Sequence, residues 1–286
     1  MTHDDVFAAC RPRLLGVAYG MLGDRGEAED VVQDAWLRWS DADTEAVRSA
    51  EAFLVTMTTR LAIDRLRSAR AQRETYIGPW LPEPLVADPS QPDPQDVVAE
   101  AEQLSLALLQ AMERLNPVER AVLLLRDVFD LEYATIANAV DKTPANCRRV
   151  AARARERLDR PVNRFAVSRE EEQRIVTAFT TAATTGDLEG LIAVLAEDAN
   201  LYTDGGGVVV AARKPISGRS NTARFLLGIQ RKIDFEPQIS FVRVNGDPGI
   251  RIAGPEGVLS ILALELADGA VANVRIVNNP HKLTRV

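Results

Sequence analysis

Cysteine and histidine are nearly missing from this 286-residue chain, with two of each. Cys10 and Cys147 stand far apart and form no CxxC pair, and His3 and His281 lie at opposite ends. These absences exclude a disulfide scaffold and leave no ligand set for zinc, so no metal and no other cofactor is expected. No apolar run approaches the roughly 18 residues that a membrane span needs. The first residues carry Asp4 and Asp5 with neither a basic segment nor an apolar stretch, so no secretory signal is expected. A cytoplasmic location with no membrane partner fits all of this.

Positive charge is also short. The net charge is −7, which on average is wrong for a protein that binds nucleic acid. The average hides two basic islands. Residues 52–73 hold five Arg against Asp64 alone, and residues 142–160 hold seven bases against two acids. Between them, residues 74–113 hold eight acids and no base. Two separate DNA-contact helices produce such a pattern, and so do two solvated helix faces.

The length admits two or three domains. Phe7, Leu14, Leu15, Ala18 and Leu22 recur at helical spacing, and Gly23-Asp24 closes that helix. Asp24 caps a second helix carrying Ala28, Val31, Val32, Ala35, Trp36 and Trp39, and a third is expected over 50–70. Residues 77–97 contain Pro79, Pro82, Pro84, Pro89, Pro92 and Pro94, which preclude a continuous helix. This segment reads either as a spacer or, because of Trp80, as a segment docked on a neighbouring domain. Helices resume over 97–158. From Arg169 two short helices lead into β-branched runs at 200–203, 208–212, 239–244, 257–266 and 270–277, which read as strands of a separate α+β domain.

The strongest local pattern runs from Tyr133 to Arg157. Ile136 and Ala137 turn inward, Val140 ends a short helix, and Asp141-Lys142 makes a turn. Thr143 caps the next helix, with Pro144 at its first position, where a missing amide costs nothing. Cys147, Val150, Ala151 and Ala154 return to the apolar side, so the Cys147 thiol reads as core rather than reactive. This is helix-turn-helix spacing, its second helix suited to the major groove. Its outward residues would be Thr143, Ala145, Asn146, Arg148, Arg149 and Arg153. Arginine pairs bidentately with guanine and Asn with adenine, so the surface can read bases as well as phosphates. A helical hairpin with a solvated Arg face has the same composition. Asp141 stands where such turns usually carry Gly, and Asp tolerates the left-handed conformation better than most residues.

Three N-terminal stretches complete the pattern: Leu14 to Tyr19 with Met21-Leu22-Gly23, the run from Ala28 to Leu37, and Phe53-Leu54 followed by Thr59 to Arg67. Together they resemble the region-two domain of extracytoplasmic-function (ECF) RNA polymerase sigma factors. The helix-turn-helix is similar to their region four. The resemblance implies that Asp30, Val31, Gln33, Asp34, Trp36 and Leu37 bind the β′ clamp helices of core RNA polymerase. It further implies that Arg60, Asp64, Arg65 and Arg67, with Arg48 in the loop of residues 40–49, contact single-stranded DNA of the −10 element. The recognition helix would then read the double-stranded −35 element. Trp80-Leu81-Pro82-Glu83-Pro84, Asp204-Gly205-Gly206-Gly207 and Asn279-Pro280-His281-Lys282-Leu283 resemble the SigJ-like group, which carries a fused SnoaL-like domain. The lysine that usually follows the glycines in that group is Val208 here.

The expected fold is therefore multidomain: two all-α domains, the second with a helix-turn-helix, followed by an α+β cone-like domain of SnoaL/NTF2 type. The expected boundaries are 1–76 (region two), 77–97 (linker), 98–160 (region four) and 168–286. Enzymes of the SnoaL class need an acid–base pair inside an apolar cone, and Tyr202 with Asp204, two apart on a strand, is the candidate pair here. The rival whole-chain reading is thus a SnoaL-class enzyme or ligand sensor carrying a DNA-binding module. The resemblance favours a non-catalytic, autoregulatory domain in which Trp80, Leu81, Pro82, Asp204, Gly205, Gly206, Gly207, Asn279, Pro280, Lys282 and Leu283 form a regulatory interface. No separate anti-sigma protein is then expected.

Overall fold

The computed structural model describes residues 3–42, 47, 49–73, 75–87, 104–158 and 168–286. The chain divides into two compact units. One joins Met1–Thr75 to Pro94–Val162, and the other joins Tyr76–Asp93 to Asn163–Val286.

The first unit is helical. α1 (His3–Leu22), α2 (Arg25–Ser40) and α3 (Ala50–Arg73) form a bundle. Its core includes Leu14, Leu15, Tyr19, Val31, Val32, Leu54 and Leu66, all buried. The Asp24 carboxylate accepts from the Glu27 amide at 2.8 Å and starts α2 where capping chemistry places it. In the same unit follow α4 (Leu106–Met112), α5 (Pro117–Leu123), α6 (Tyr133–Val140) and α7 (Pro144–Leu158). α5 opens with a reciprocal capping box between Asn116 and Glu119, and Pro117 stands at its first turn. It runs on into a wider π turn over Leu124–Val128.

The second unit packs helices on one face of a seven-stranded sheet, in the order β1-β4-β5-β6-β7-β2-β3. The helices are α8 (Arg169–Thr185), α9 (Leu188–Val194) and α10 (Arg219–Gln230). The long strands are β2 (Leu195–Asp204), β4 (Gln238–Val244), β5 (Asp247–Gly254), β6 (Gly257–Ala267) and β7 (Ala270–Val277). The short ones are β1 (Val86–Ala87) and β3 (Ile216–Ser217). β2 and β7 run parallel and every other pair is antiparallel. Phe179, Leu191, Leu201, Leu227, Leu264 and Val274 belong to the apolar core between helices and sheet.

One strand expectation needs correction, and one strand is absent from the sequence reading. Residues 208–212 form no strand. The amides of Val208 and Val209 both donate to Gly205 O at 3.0 Å, closing a turn that leaves Val208 and Val210 exposed. β-branched residues directly after a glycine run follow the turn here, not their strand propensity. Conversely, Asp247–Gly254 is a full strand despite Pro248 and Gly249. A Cβ at Gly249 would stand 2.7 Å from Leu262 O and 2.4 Å from a Val244 methyl, so close strand packing there requires glycine.

The segment 77–97 was open between spacer and docked segment. Its described part, through residue 87, belongs to the second unit and supplies the edge strand β1, with Val86 opposite Val244 and Ala87 opposite Arg243.

Candidate functional site

Three sets of residues carry chemistry. The first is the helix-turn-helix of α6 and α7. α6 ends on Asp141 at φ 52° and ψ 56°, in the left-handed region, and the Lys142 amide donates back to Ala137 O at 3.0 Å. Aspartate thus holds the conformation that glycine usually supplies. The Thr143 hydroxyl accepts from the Asn146 amide at 3.3 Å, the cap that the sequence suggested. Ile136, Ala137, Val140, Cys147, Val150, Ala151 and Ala154 are buried. Burial pushes the Cys147 thiol up, against a smaller opposing effect of Lys142.

Thr143, Ala145, Arg148, Arg149 and Arg153 are exposed on α7 and Asn146 is half-buried beside them, so the six expected residues share one outward side. The Arg148 guanidinium lies 5.2 Å from the centre of the Tyr133 ring. Arg155 and Arg157 have another task. Arg155 donates to Asp127 at 2.5 and 2.8 Å, and Arg157 to Glu119 at 2.7 and 2.9 Å, fastening α7 to the preceding elements. Only part of the second basic island faces outward for a ligand.

The second set lies on α2 and α3. Asp30, Gln33, Asp34, Trp36 and Leu37 are exposed, the last two at 38% and 49%. Exposed Trp and Leu beside two carboxylates make an amphipathic surface suited to a protein partner. Val31 is not on it: with Ala28, Val32, Ala35 and Trp39 it forms the buried stripe of α2, because these positions recur every three or four residues. Val32 and Ala35 face inward for the same reason.

On α3, Arg60, Asp64, Arg65 and Arg67 are all exposed. Arg65 reaches Asp30 at 3.2 Å and Glu27 at 3.6 Å, while Arg67 pairs with Asp64 at 2.9 Å. Exposed pairs of this kind contribute about 0–1 kcal/mol, so a polyanion displaces them cheaply. Arg60 instead donates to the main-chain oxygens of Asn138 at 2.6 Å and Ala139 at 3.4 Å. Arg48 lies outside the described residues.

The third set gathers around Asp204 in the second unit. Its carboxylate is fully buried. Oδ1 accepts from the Tyr76 hydroxyl at 2.5 Å and the Gly206 amide at 3.0 Å. Oδ2 accepts from the Leu81 amide and the Lys282 ammonium, both at 2.8 Å. Lys282 also donates to Leu81 O, and its Nζ lies 4.3 Å from the centre of the Trp80 ring. The amides of Asn278 and Asn279 donate to Asp204 O at 2.8 and 2.9 Å, and the Asn279 side chain donates to the Tyr76 hydroxyl at 3.0 Å.

Three sequence segments far apart in the chain therefore meet on one carboxylate. Leu81, Pro82 and Leu283 are buried alongside, whereas Pro280 is exposed at the start of the closing turn. The glycines are demanded by closeness. A Cβ at Gly205 would stand 2.3 Å from Val209 O. Gly206, at φ +63°, would put one 2.5 Å from the Asn279 amide group. Gly207, also at positive φ and exposed, lies against Ile77.

Tyr76 and Asn245 went unrecognised in the sequence. The Asn245 side chain accepts from the Leu85 amide at 3.0 Å, and its own amide donates to Leu85 O at 2.9 Å, so it clamps the segment ahead of β1. The Asn245-Gly246 dipeptide marks a hairpin turn, but nothing in it signals a second strand alongside.

The candidate acid–base pair does not enter the apolar core. Leu201 belongs to that core, so strand alternation turns Tyr202 and Asp204 to the opposite sheet face. There the Arg275 guanidinium lies 5.5 Å from the centre of the Tyr202 ring, and Asp204 is occupied by its four donors.

Comparison with known proteins gives the family. Residues 6–72 match the family Sigma-70 region 2, and residues 105–158 match Sigma-70, region 4. The chain is 33% identical over 290 residues to the ECF RNA polymerase sigma factor SigJ of Mycobacterium tuberculosis (strain ATCC 25618 / H37Rv), covering 97% of this chain and 92% of SigJ. The chain belongs to the ECF RNA polymerase sigma factors. It is also 33% identical over 294 residues to a probable ECF sigma factor, SigI, of M. tuberculosis (strain CDC 1551 / Oshkosh), covering 98% of this chain and 96% of SigI. The crystal structure of M. tuberculosis SigJ superposes with a TM-score of 0.80 at 31% identity, covering 97% of both chains. As an ECF sigma factor the chain directs RNA polymerase in transcription initiation, binding the core enzyme and promoter DNA, and it is not an enzyme. The unit that follows the two matched regions is an α+β fold, with helices on one face of a seven-stranded sheet. Among the described residues no helix is long and apolar enough to cross a membrane.

Proposed function

We propose that this ECF sigma factor divides its work among the three sets of residues. The α2 surface of Asp30, Gln33, Asp34, Trp36 and Leu37 binds the β′ clamp helices of core polymerase. The exposed α3 residues Arg60, Asp64, Arg65 and Arg67, with Arg48, engage single-stranded DNA of the −10 element. The outward side of α7 reads the double-stranded −35 element. The C-terminal domain regulates the factor by gripping the segment that connects regions two and four, in place of a separate anti-sigma protein. On this reading the boundaries are functional: 1–76, 77–97, 98–160 and 168–286 are region two, tether, region four and regulator. A cytoplasmic location follows from its partner.

The observation that carries the regulatory reading is the shared occupancy of Asp204. Tyr76 at the last position of the region-two span, Leu81 from the connecting segment and Lys282 from the C-terminal end all donate to it. Holding the tether at two anchor points lowers the range of separations open to the modules on either side of it. The polymerase reading rests on exposed apolar surface beside exposed carboxylates. It is tested by measuring core-polymerase affinity of the Asp30→Lys/Asp34→Lys variant, with helical content as the control for folding. A loss of at least tenfold is expected. Undiminished affinity in a folded double variant would refute the assignment.

A further inference from the structure

Three guanidinium groups converge on one ring at the start of the helix-turn-helix. Tyr133 is the first residue of α6 and is half-buried. The centre of its ring lies 5.4 Å from the guanidinium of Arg126 and 5.2 Å from that of Arg148. Both stand within the roughly 6 Å over which a cation is drawn to an aromatic face. The Tyr133 hydroxyl acts on the third. Hydrogen bonding to Asp127 raises the Arg155 pKa above its ordinary value, burial opposes this, and the Tyr133 hydroxyl adds to the rise.

The ring is held by neighbours that are themselves fixed. Arg126 donates to Leu131 O at 3.0 Å and pairs with Asp130 at 3.1 Å. Arg155 is bound twice by Asp127. Two of the three positive charges are therefore balanced by a carboxylate. The third is not. Among the described residues the Arg148 guanidinium has neither an ion pair nor a hydrogen bond, and the Tyr133 ring alone steadies it. Arg149 and Arg153, exposed on the same side of α7, have no such support among those residues.

A ring contact suits a base-reading arginine better than an ion pair does. A guanidinium meets a ring with its flat face and a guanine with its N–H edge. Stacking therefore restrains the side chain and leaves its donors free, whereas a carboxylate would occupy them. A long side chain ordered before binding also loses less rotamer freedom when DNA arrives. We propose that Tyr133 is a positioning residue for Arg148, and that the discrimination Arg148 exerts at the −35 element depends on the Tyr133 ring. Arg149 and Arg153 become ordered only on binding. The proposal rests on the assignment of α7 to the −35 element, and it names which of the outward arginines is built in advance to read a base.

The test uses the full chain with core polymerase. The probes are a promoter selected from random-sequence DNA by that wild-type holoenzyme and its single-base-pair variants across the −35 element. Arg148→Ala should flatten the preference at one base pair. Tyr133→Leu should weaken binding about two- to tenfold, with the loss falling at that same base pair. It should add nothing in the Arg148→Ala background and its full loss in the Arg149→Ala background. Tyr133→Phe keeps the ring and should retain the wild-type preference. A Tyr133→Leu loss equal at every base pair, or undiminished without Arg148, would overturn the proposal. So would a Phe variant as defective as the Leu variant, which would assign the work to the hydroxyl. One measurement needs no variant: side-chain Nε–H relaxation in the free wild-type chain should show Arg148 more restricted on the picosecond–nanosecond scale than Arg149 and Arg153. Equal mobility of the three would overturn the proposal whether or not the variants fold. Unchanged binding in Arg148→Ala is a distinct result, since it removes the reader assignment itself and the proposal with it.

Discussion

Asp204 is the residue on which most depends. A buried carboxylate is tolerated only when its charge is compensated and its oxygens are hydrogen-bonded. Four donors, one of them an ammonium, do this. Asp204→Ala would take from the buried Lys282 ammonium the carboxylate 2.8 Å away, and removing one member of a buried pair costs about 3–5 kcal/mol. Denaturant unfolding of the full chain should show a loss of that size in the transition of the C-terminal domain. A loss below about 1 kcal/mol would mean that Lys282 is held chiefly by contacts other than Asp204, those to Leu81 O and the Trp80 ring among them. Cys147 gives a second prediction at this scale. Its thiol is buried and pushed up by that burial, so it stays protonated near neutral pH. Alkylation of the native protein at pH 8 should therefore spare it, and rapid modification would show that α7 opens locally.

At the scale of elements, the helices were legible wherever one side was apolar at helical spacing. α1, α2 and the α6–α7 pair stand where that spacing, the Asp24 cap and the Thr143–Pro144 start put them. The α+β part was less legible. β5 hides behind Pro248 and Gly249, α10 opens with Arg219-Ser220-Asn221-Thr222, and Val208 to Val210 imitate a strand. In each case tertiary packing overrides local propensity. Val31 shows the limit within a helix: the acidic motif around it was recognisable, but the choice between inward and outward sides required the whole stripe of α2. The recognition helix carries its own prediction. Arg148→Ala or Arg149→Ala should cost about 1–3 kcal/mol in −35 binding, with relaxed preference at one base pair, wherever that arginine pairs bidentately with a guanine. A loss uniform across sequences, with a shallower salt dependence, would assign the residue to phosphate. No loss from either change would remove α7 as the reader.

At the scale of the whole molecule, the sequence makes the order of modules plain and conceals how the chain is divided in space. A proline-rich run between two helical regions has the composition of a spacer. Trp80 alone argued otherwise, since a large apolar side chain on a solvated tether has no compensation. The residues that decide the matter, Tyr76, Asp204, Asn245 and Lys282, come from four separate places and meet only after folding. Such a constellation has no local signature. Its consequence is that the described part of the segment between the two helical regions, from Tyr76 through Ala87, is part of the second unit's fold.

The regulatory claim is tested most directly by promoter-directed transcription with core polymerase, comparing the full chain with Trp80→Ala and with a variant lacking the residues from Asn279 onward, alongside X-ray scattering of the free proteins. Both changes remove contacts at the grip and leave α6 and α7 intact. The account predicts altered transcript yield together with altered overall dimensions in both variants. Unaltered transcription and unaltered dimensions in both would contradict it.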